Sequence, residues 1–253
     1  MLAEFLVANV FQVFVVFARI GGAVMVLPGF GEGFVFPRAR LGLALLLALV
    51  IAPIAAPSLP AMPQADGEAL LLVGREALVG VAIGAIVRLL LSAVNVAGAI
   101  IATQTGLATA SMFDPAQGDQ IAVVGRFLSV AATVALFAAD LHHTMLAALA
   151  DSYRLLPPLG LPPVGDVTAL AFDWFAAAFE VAAQLSAPLV VAGVVFFLGL
   201  GTLARLMPQV PVFFVIIPAQ LGAGIALLMI AFSTIMLWYV DFFADRLDTL
   251  VAG

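Results

Sequence analysis

A polar, breakable segment inside an otherwise apolar chain constrains this fold more than any other feature. Between an apolar run ending near Ile101 and another beginning near Phe127 lies QTGLATASMFDPAQGDQ, Gln104 to Gln120. Gly106, Pro115 and Gly118 interrupt its backbone, and the N–H and C=O groups released in this way would find no partner in hydrocarbon. The segment must therefore be covered by protein or line water, and function is expected there. Composition makes hydrocarbon the relevant solvent: 65% of the 253 residues are hydrophobic and 9% are charged, where a soluble domain would carry about 25% charge. With a mean hydropathy of +1.24, the chain reads as an all-α, integral-membrane-type protein, because a helix satisfies its own backbone in lipid.

Several classes of function are excluded by residue types alone. The absence of cysteine rules out disulfides, thiol nucleophiles and Cys-ligated metals. A formal charge of −6 argues against nucleic acid, which needs a basic face. The start, MLAEFLVAN, contains Glu4 and no basic n-region, so the first helix is expected to remain in the mature protein rather than act as a cleaved signal.

Six apolar stretches follow one another: Phe5–Leu27, Leu41–Ala56, Leu70–Ile101, Phe127–Ala139, Leu170–Leu203 and Val212–Val240. About 20 helical residues cross a bilayer core, so the second is marginal and the third exceeds one span. The fourth reaches spanning length only by running past Asp140, His142 and His143. Dense glycine and proline mark the joins. LPGFGEGFVFPRAR holds Pro28, Gly29, Gly31, Glu32, Gly33 and Pro37; a second cluster holds Pro53, Pro57, Pro60 and Pro63; a third, LPPLGLPPVGD, spans Pro157 to Pro163. One domain in two parts is expected, residues 1–157 and 165–253, with no residue-by-residue repeat between them.

The chain has no lysine, and its nine arginines are too scattered to orient it by positive-inside counting. Arg19, Arg88 and Arg205 sit within or against apolar runs, where a charge near the bilayer centre costs at least about 2.5 kcal/mol. Each is expected to need a protein partner or water. Glu76, Gly80, Gly84 and Arg88 lie four apart on one helix face, and Ser92, Asn95 and Ala99 continue the stripe. Gln12 and Arg19 share a face with Ala8 and Ala23 in the first helix. Such small residues admit a neighbouring helix, while the buried ionisable groups are open to a packing or a functional reading.

Catalytic patterns are weak. Asp140, His142 and His143 are the best acid-base or metal-ligating group, yet HExxH is absent and adjacent helical residues point about 100° apart. They read as a helix end, a polar rim or an interhelical bond. GFGEG, Gly29 to Gly33, is followed by FVFPRAR, with no Walker lysine, so a phosphate cradle is not supported. No enzyme, cofactor or metal is implied.

Three motifs together carry a resemblance. LPGFGEGFVFPRAR, QTGLATASMFDPAQGDQ with GRFL after it, and LGLGTLARLMPQVPVFFVIIP are similar to the FliR/SctT family of type III secretion export-gate proteins, collinearly over nearly the whole chain. Arg205, Pro208, Gln209, Phe213 and Pro218 match the order and spacing of the family's Arg-x-x-Pro-Gln stretch, and the LPGFGE form favours the flagellar branch over its virulence-secretion relative. Leu141 departs from the family, which commonly has glycine before histidine there. The resemblance implies bent helical hairpins packed in a helical export-gate assembly, with residues 1–157 FliP-like and 165–253 FliQ-like. It further implies a place in the bacterial inner membrane at the flagellar basal body, assembly with FliP and FliQ, contacts to FlhB and FlhA, lipid around the chain, and flagellar proteins as transient export substrates. By position, Met112, Phe113, Asp114 and Pro115 would form the tip of a loop that plugs the channel between Gln104 and Gln120, hinged at Gly106 and Gly118. Arg19, Glu76, Arg88, Arg205 and Gln209 would be buried assembly residues. A plain interhelical turn remains the other reading of the loop. A secondary transporter, with its broken helices and midplane charges, is the alternative from another class.

Overall fold

Proline and glycine set where the helices begin and end. The computed structural model describes residues 2–63, 65–107, 120–158, 164–206 and 212–252. Its helices are α1 (Leu2–Val24), α2 (Pro37–Ala55), α3 (Asp66–Gln104), α4 (Gln120–Ala138), α5 (Leu141–Leu155), α6 (Val164–Leu206) and α7 (Val212–Ala252). Among the described residues there is no strand. Pro37 opens α2, where its missing N–H costs nothing. Asp66 and Glu68 lie in the first turn of α3, complementing the positive end of its dipole. Gly106, at φ +79°, follows the last turn of α3 as a left-handed terminator.

The fourth apolar stretch is not one straight element. Helices α4 and α5 meet at a 77° bend, and the bend residue is Asp140, at φ 59°. The sequence expectation of a helix end at Asp140 holds, and a separate helix follows it. Among the described residues, four helices are long and apolar enough to cross a membrane, or five when the bent pair counts as one span. At 1.5 Å per residue, the 39-residue α3 is about 58 Å long, nearly twice a hydrocarbon core of roughly 30 Å. The protein is an all-α membrane protein.

Two compact units are built from this chain, each from non-contiguous pieces. The first comprises Met1–Leu89, Phe137–Trp174 and Ala244–Gly253. In it α1 packs on α2 and crosses α3, burying Val16, Ile20, Ala23, Ala48, Leu149 and Trp174. The crossing is backbone on backbone: a Cβ at Gly22 would stand 2.5 Å from the Ala77 carbonyl oxygen, and one at Gly80 would overlap the Arg19 carbonyl. The glycine stripe read from the sequence is thus the face that α1 covers. The second unit comprises Leu90–Leu136 and Phe175–Phe243. Its core repeats at helical spacing, with Leu90, Val94, Ala97 and Ile101 from α3, Leu128 and Ala132 from α4, and Val181, Leu185 and Leu189 from α6. Helices α3 and α4 cross at Gly98 and Gly125, where a Cβ at Gly98 would lie 2.7 Å from the Gly125 nitrogen.

Candidate functional site

The first unit holds a charge with no access to water. Arg19 and Glu76 are each 0% exposed, and they are joined twice, Arg19 Nε to Glu76 Oε2 at 2.7 Å and Nη2 to Oε1 at 3.0 Å. Nη1 donates to the carbonyl and hydroxyl oxygens of Ser152, at 3.1 and 3.2 Å, and Nη2 donates to the Leu156 carbonyl at 2.8 Å. A guanidinium has five N–H donors, and here each has an acceptor. The Tyr153 ring closes one face, its centroid 4.1 Å from Cζ. The pair therefore ties α1, α3 and the end of α5 together, and its chemistry is that of a structural lock: no donor is left over for a ligand.

One turn beyond Gly84, Arg88 is placed differently. Its side chain is 42% exposed within this chain, and it has the protein partners that its place in an apolar run was expected to need. The reason is geometric, since α1 has ended at Val24 and Arg88 reaches the turns that follow it. Nη1 donates to the Val26 carbonyl at 3.0 Å, and Nη2 lies 3.4 Å from Glu32 Oε1, an ion pair by distance without hydrogen-bond alignment. The LPGFGE segment is held from the other side by Phe137, whose ring is 5.4 Å from that of Phe30. Gly29 sits at φ +78° with Phe137 where a Cβ would be, so glycine is required there twice over, while a Cβ at Gly31 would touch the Met25 carbonyl.

The base of the interrupted segment lies in the second unit. Gln104 ends α3, and its carbonyl accepts a hydrogen bond from Gln220 Nε2 of α7 at 2.9 Å. The Gln104 side-chain oxygen rests on Gly193 of α6, and a Cβ at Gly224 would stand 2.7 Å from the Thr105 Cα. Thr105 is fully buried. The last turn of α3 is thus clamped between α6 and α7 immediately before Gly106. The other stem, Gln120, opens α4. Met112, Phe113, Asp114, Pro115 and Gly118 lie outside the described residues, as do Pro208 and Gln209.

Arg205 is exposed at the end of α6 within this chain, which leaves open the expected burial against neighbouring subunits. Among the described residues it has no hydrogen-bond or ion-pair partner, and the last turn of α6 around it is exposed. Pro218 lies inside α7 and is exposed. Asp140, His142 and His143 bring one ligand atom each within 4.8 Å of one another, but His142 stacks on Phe137 at 4.7 Å and 5°, as a bend residue's neighbour would. Sequence reasoning passed over Ser152, Tyr153, Gly193, Gln220 and Gly224. Gln220, a polar amide in an apolar run, was the one visible signal.

The long apolar helices, the internal ion pair and the polar interruption on a tightly packed base define a membrane protein of broken helices. The chain matches the family described as bacterial export proteins, family 1, over residues 10–245, and it belongs to that family. It is 37% identical to the flagellar biosynthetic protein FliR of Caulobacter vibrioides, over 95% of this chain and 97% of that protein. It is 30% identical to FliR of Bacillus subtilis, over 93% and 91%. It is 27% identical to the surface presentation of antigens protein SpaR of Salmonella typhimurium, over 87% and 82%. The chain is an inner-membrane protein of a type III export apparatus.

Proposed function

We propose that the chain is a structural subunit of the flagellar type III export gate at the base of the flagellum, lining part of the channel through which flagellar subunits leave. The segment between Gln104 and Gln120 is its plug, closing the channel when no substrate passes. One observation carries this reading: the last turn of α3 is anchored by Gln220, Gly193 and Gly224, and the interrupted segment starts directly from that anchor. A rigid base with a glycine at its edge suits a loop that moves as a unit. Met112 and Phe113 supply apolar surface that seals without locking, since neither makes a directional bond in doing so. The flagellar branch is favoured over the virulence branch by identities of up to 37% to flagellar relatives against up to 28% to virulence-secretion relatives.

The long helices support assembly with neighbours. Phe197, Leu198, Met229 and Ile230 are more than half exposed on α6 and α7, an apolar surface that only lipid or other subunits can cover. FliP and FliQ are the proposed neighbours, with FlhB and FlhA in contact. Residues 1–157 are the FliP-like part and 165–253 the FliQ-like part, a division by resemblance that the two compact units cross. Deleting Met112 to Gln117 is expected to leave the complex assembled and make it leak ions. An assembled deletion mutant with unchanged membrane permeability would remove the plug from the proposal.

A further inference from the structure

We propose that the first compact unit holds one phospholipid with a zwitterionic, primary-ammonium headgroup in a groove between α3, the end of α5 and the start of α6. The groove has a volume of about 910 Å³. Its walls include Leu71, Leu78, Ile83, Ile86 and Leu170, and Leu71 and Leu78 are more than 70% exposed at its rim. Two opposite charges also line it, Arg75 and Asp166. They do not pair with one another within 4.0 Å, and among the described residues Arg75 Nε is buried without a hydrogen-bond acceptor.

That combination selects the occupant. An apolar helix seated in the groove would leave the Arg75 donor unsatisfied, at a desolvation cost. An anionic headgroup would satisfy Arg75 and meet repulsion from Asp166. A headgroup carrying phosphate and ammonium together answers each charge with its opposite, the phosphate on Arg75 in a charge-assisted bond and the ammonium toward the exposed carboxylate. The length agrees as well. From Arg75 to Ile86, eleven residues along α3 cover about 16 Å, close to the roughly 15 Å depth of one leaflet of a 30 Å hydrocarbon core. Asp166 belongs to the first turn of α6 and Thr249 to the end of α7, so these two polar groups lie near helix ends, while Arg75 lies nine residues inside α3. This inference rests on the membrane location and stands apart from the plug.

The test uses the full-length chain, purified in mild detergent, stripped of lipid and offered dioleoylphosphatidylethanolamine or dioleoylphosphatidylglycerol, with bound lipid counted by native mass spectrometry. One ethanolamine lipid per chain is expected, preferred about tenfold over the glycerol lipid. Arg75→Gln and Leu78→Trp each abolish retention, the first by removing the phosphate contact and the second by filling the groove. Asp166→Asn, at an exposed position that folding tolerates, retains binding but erases the preference. Absence of bound lipid in the wild type, equal retention by Arg75→Gln, or a preference unchanged in Asp166→Asn overturns the proposal. So does a photo-crosslinker at position 78 that captures, in native membranes, a neighbouring protein or a second copy of this chain and no lipid.

Discussion

Removing Glu76 tests the central packing argument most directly. In Glu76→Ala, two of the five Arg19 N–H donors lose their acceptors, and a guanidinium that is 0% exposed loses its counter-charge. Breaking a buried pair from one side costs about 3–5 kcal/mol. The double variant Arg19→Met/Glu76→Met removes the stranded charge. The Ser152 carbonyl then keeps the Leu156 N–H at 2.8 Å, while the Leu156 carbonyl loses its Arg19 donor, leaving a loss of about 1–3 kcal/mol. The double variant is therefore expected to be more stable than Glu76→Ala. Unfolding free energies come from titrating the purified chain in mixed detergent and dodecyl sulfate, followed by fluorescence of Trp174, which is 1% exposed and lies in the same unit. A loss below about 1 kcal/mol in Glu76→Ala, or a double variant less stable than the single, refutes the claim that this pair locks α1 to α3 and α5.

Gly80→Val should cost about 3 kcal/mol in the same titration, because its Cβ would occupy the Arg19 carbonyl, whereas Gly42→Val, with no atom within 4 Å, should change stability by less than about 0.5 kcal/mol, and equal losses at the two positions would sink the crossing argument. Asp140→Gly should stabilise the chain by about 1 kcal/mol, since a side chain at φ 59° is strained; a destabilised variant would mean that the Asp140 carboxylate holds the bend. Arg205→Ala should lower recovery of the chain with FliP and FliQ by about tenfold, the equivalent of one lost charge-assisted bond, while leaving the isolated chain as stable as before; co-purification at wild-type yield would show that this exposed arginine does not face those partners.

Much of the architecture is legible in local patterns. The proline and glycine clusters at Pro28–Pro37 and Pro57–Pro63 fall where helices stop, because φ restriction and a missing N–H act together on the nearest turn, whereas the single prolines Pro53, Pro188 and Pro218 lie inside helices. The stripe of Gly80 and Gly84 identified a helix-facing surface for the same local reason, a periodicity of the backbone. The bend at Asp140 was visible only as a polar break, and its left-handed φ could not be read from an aspartate. The base of the interrupted segment was harder. Gln220, Gly193 and Gly224 are separated from Gln104 by long stretches of chain, and nothing in their neighbours announces a common destination.

Sequence alone determined the solvent and the class: apolar runs of spanning length demand helices in lipid, and a glycine- and proline-broken polar segment demands a surface other than lipid. Tertiary structure alone decided which charges are paired and which are open. Arg19 meets Glu76 across 57 residues and Leu156 across 137, while Arg88, on the same stripe as Glu76, remains partly exposed, and Arg205 projects from a helix end. Desolvation gives every such arginine the same need for a partner. The helix crossing, set by backbone contact at Gly22 and Gly80, buries Arg19 against Glu76, while Arg88 finds Val26 and Glu32 in the turns that follow α1.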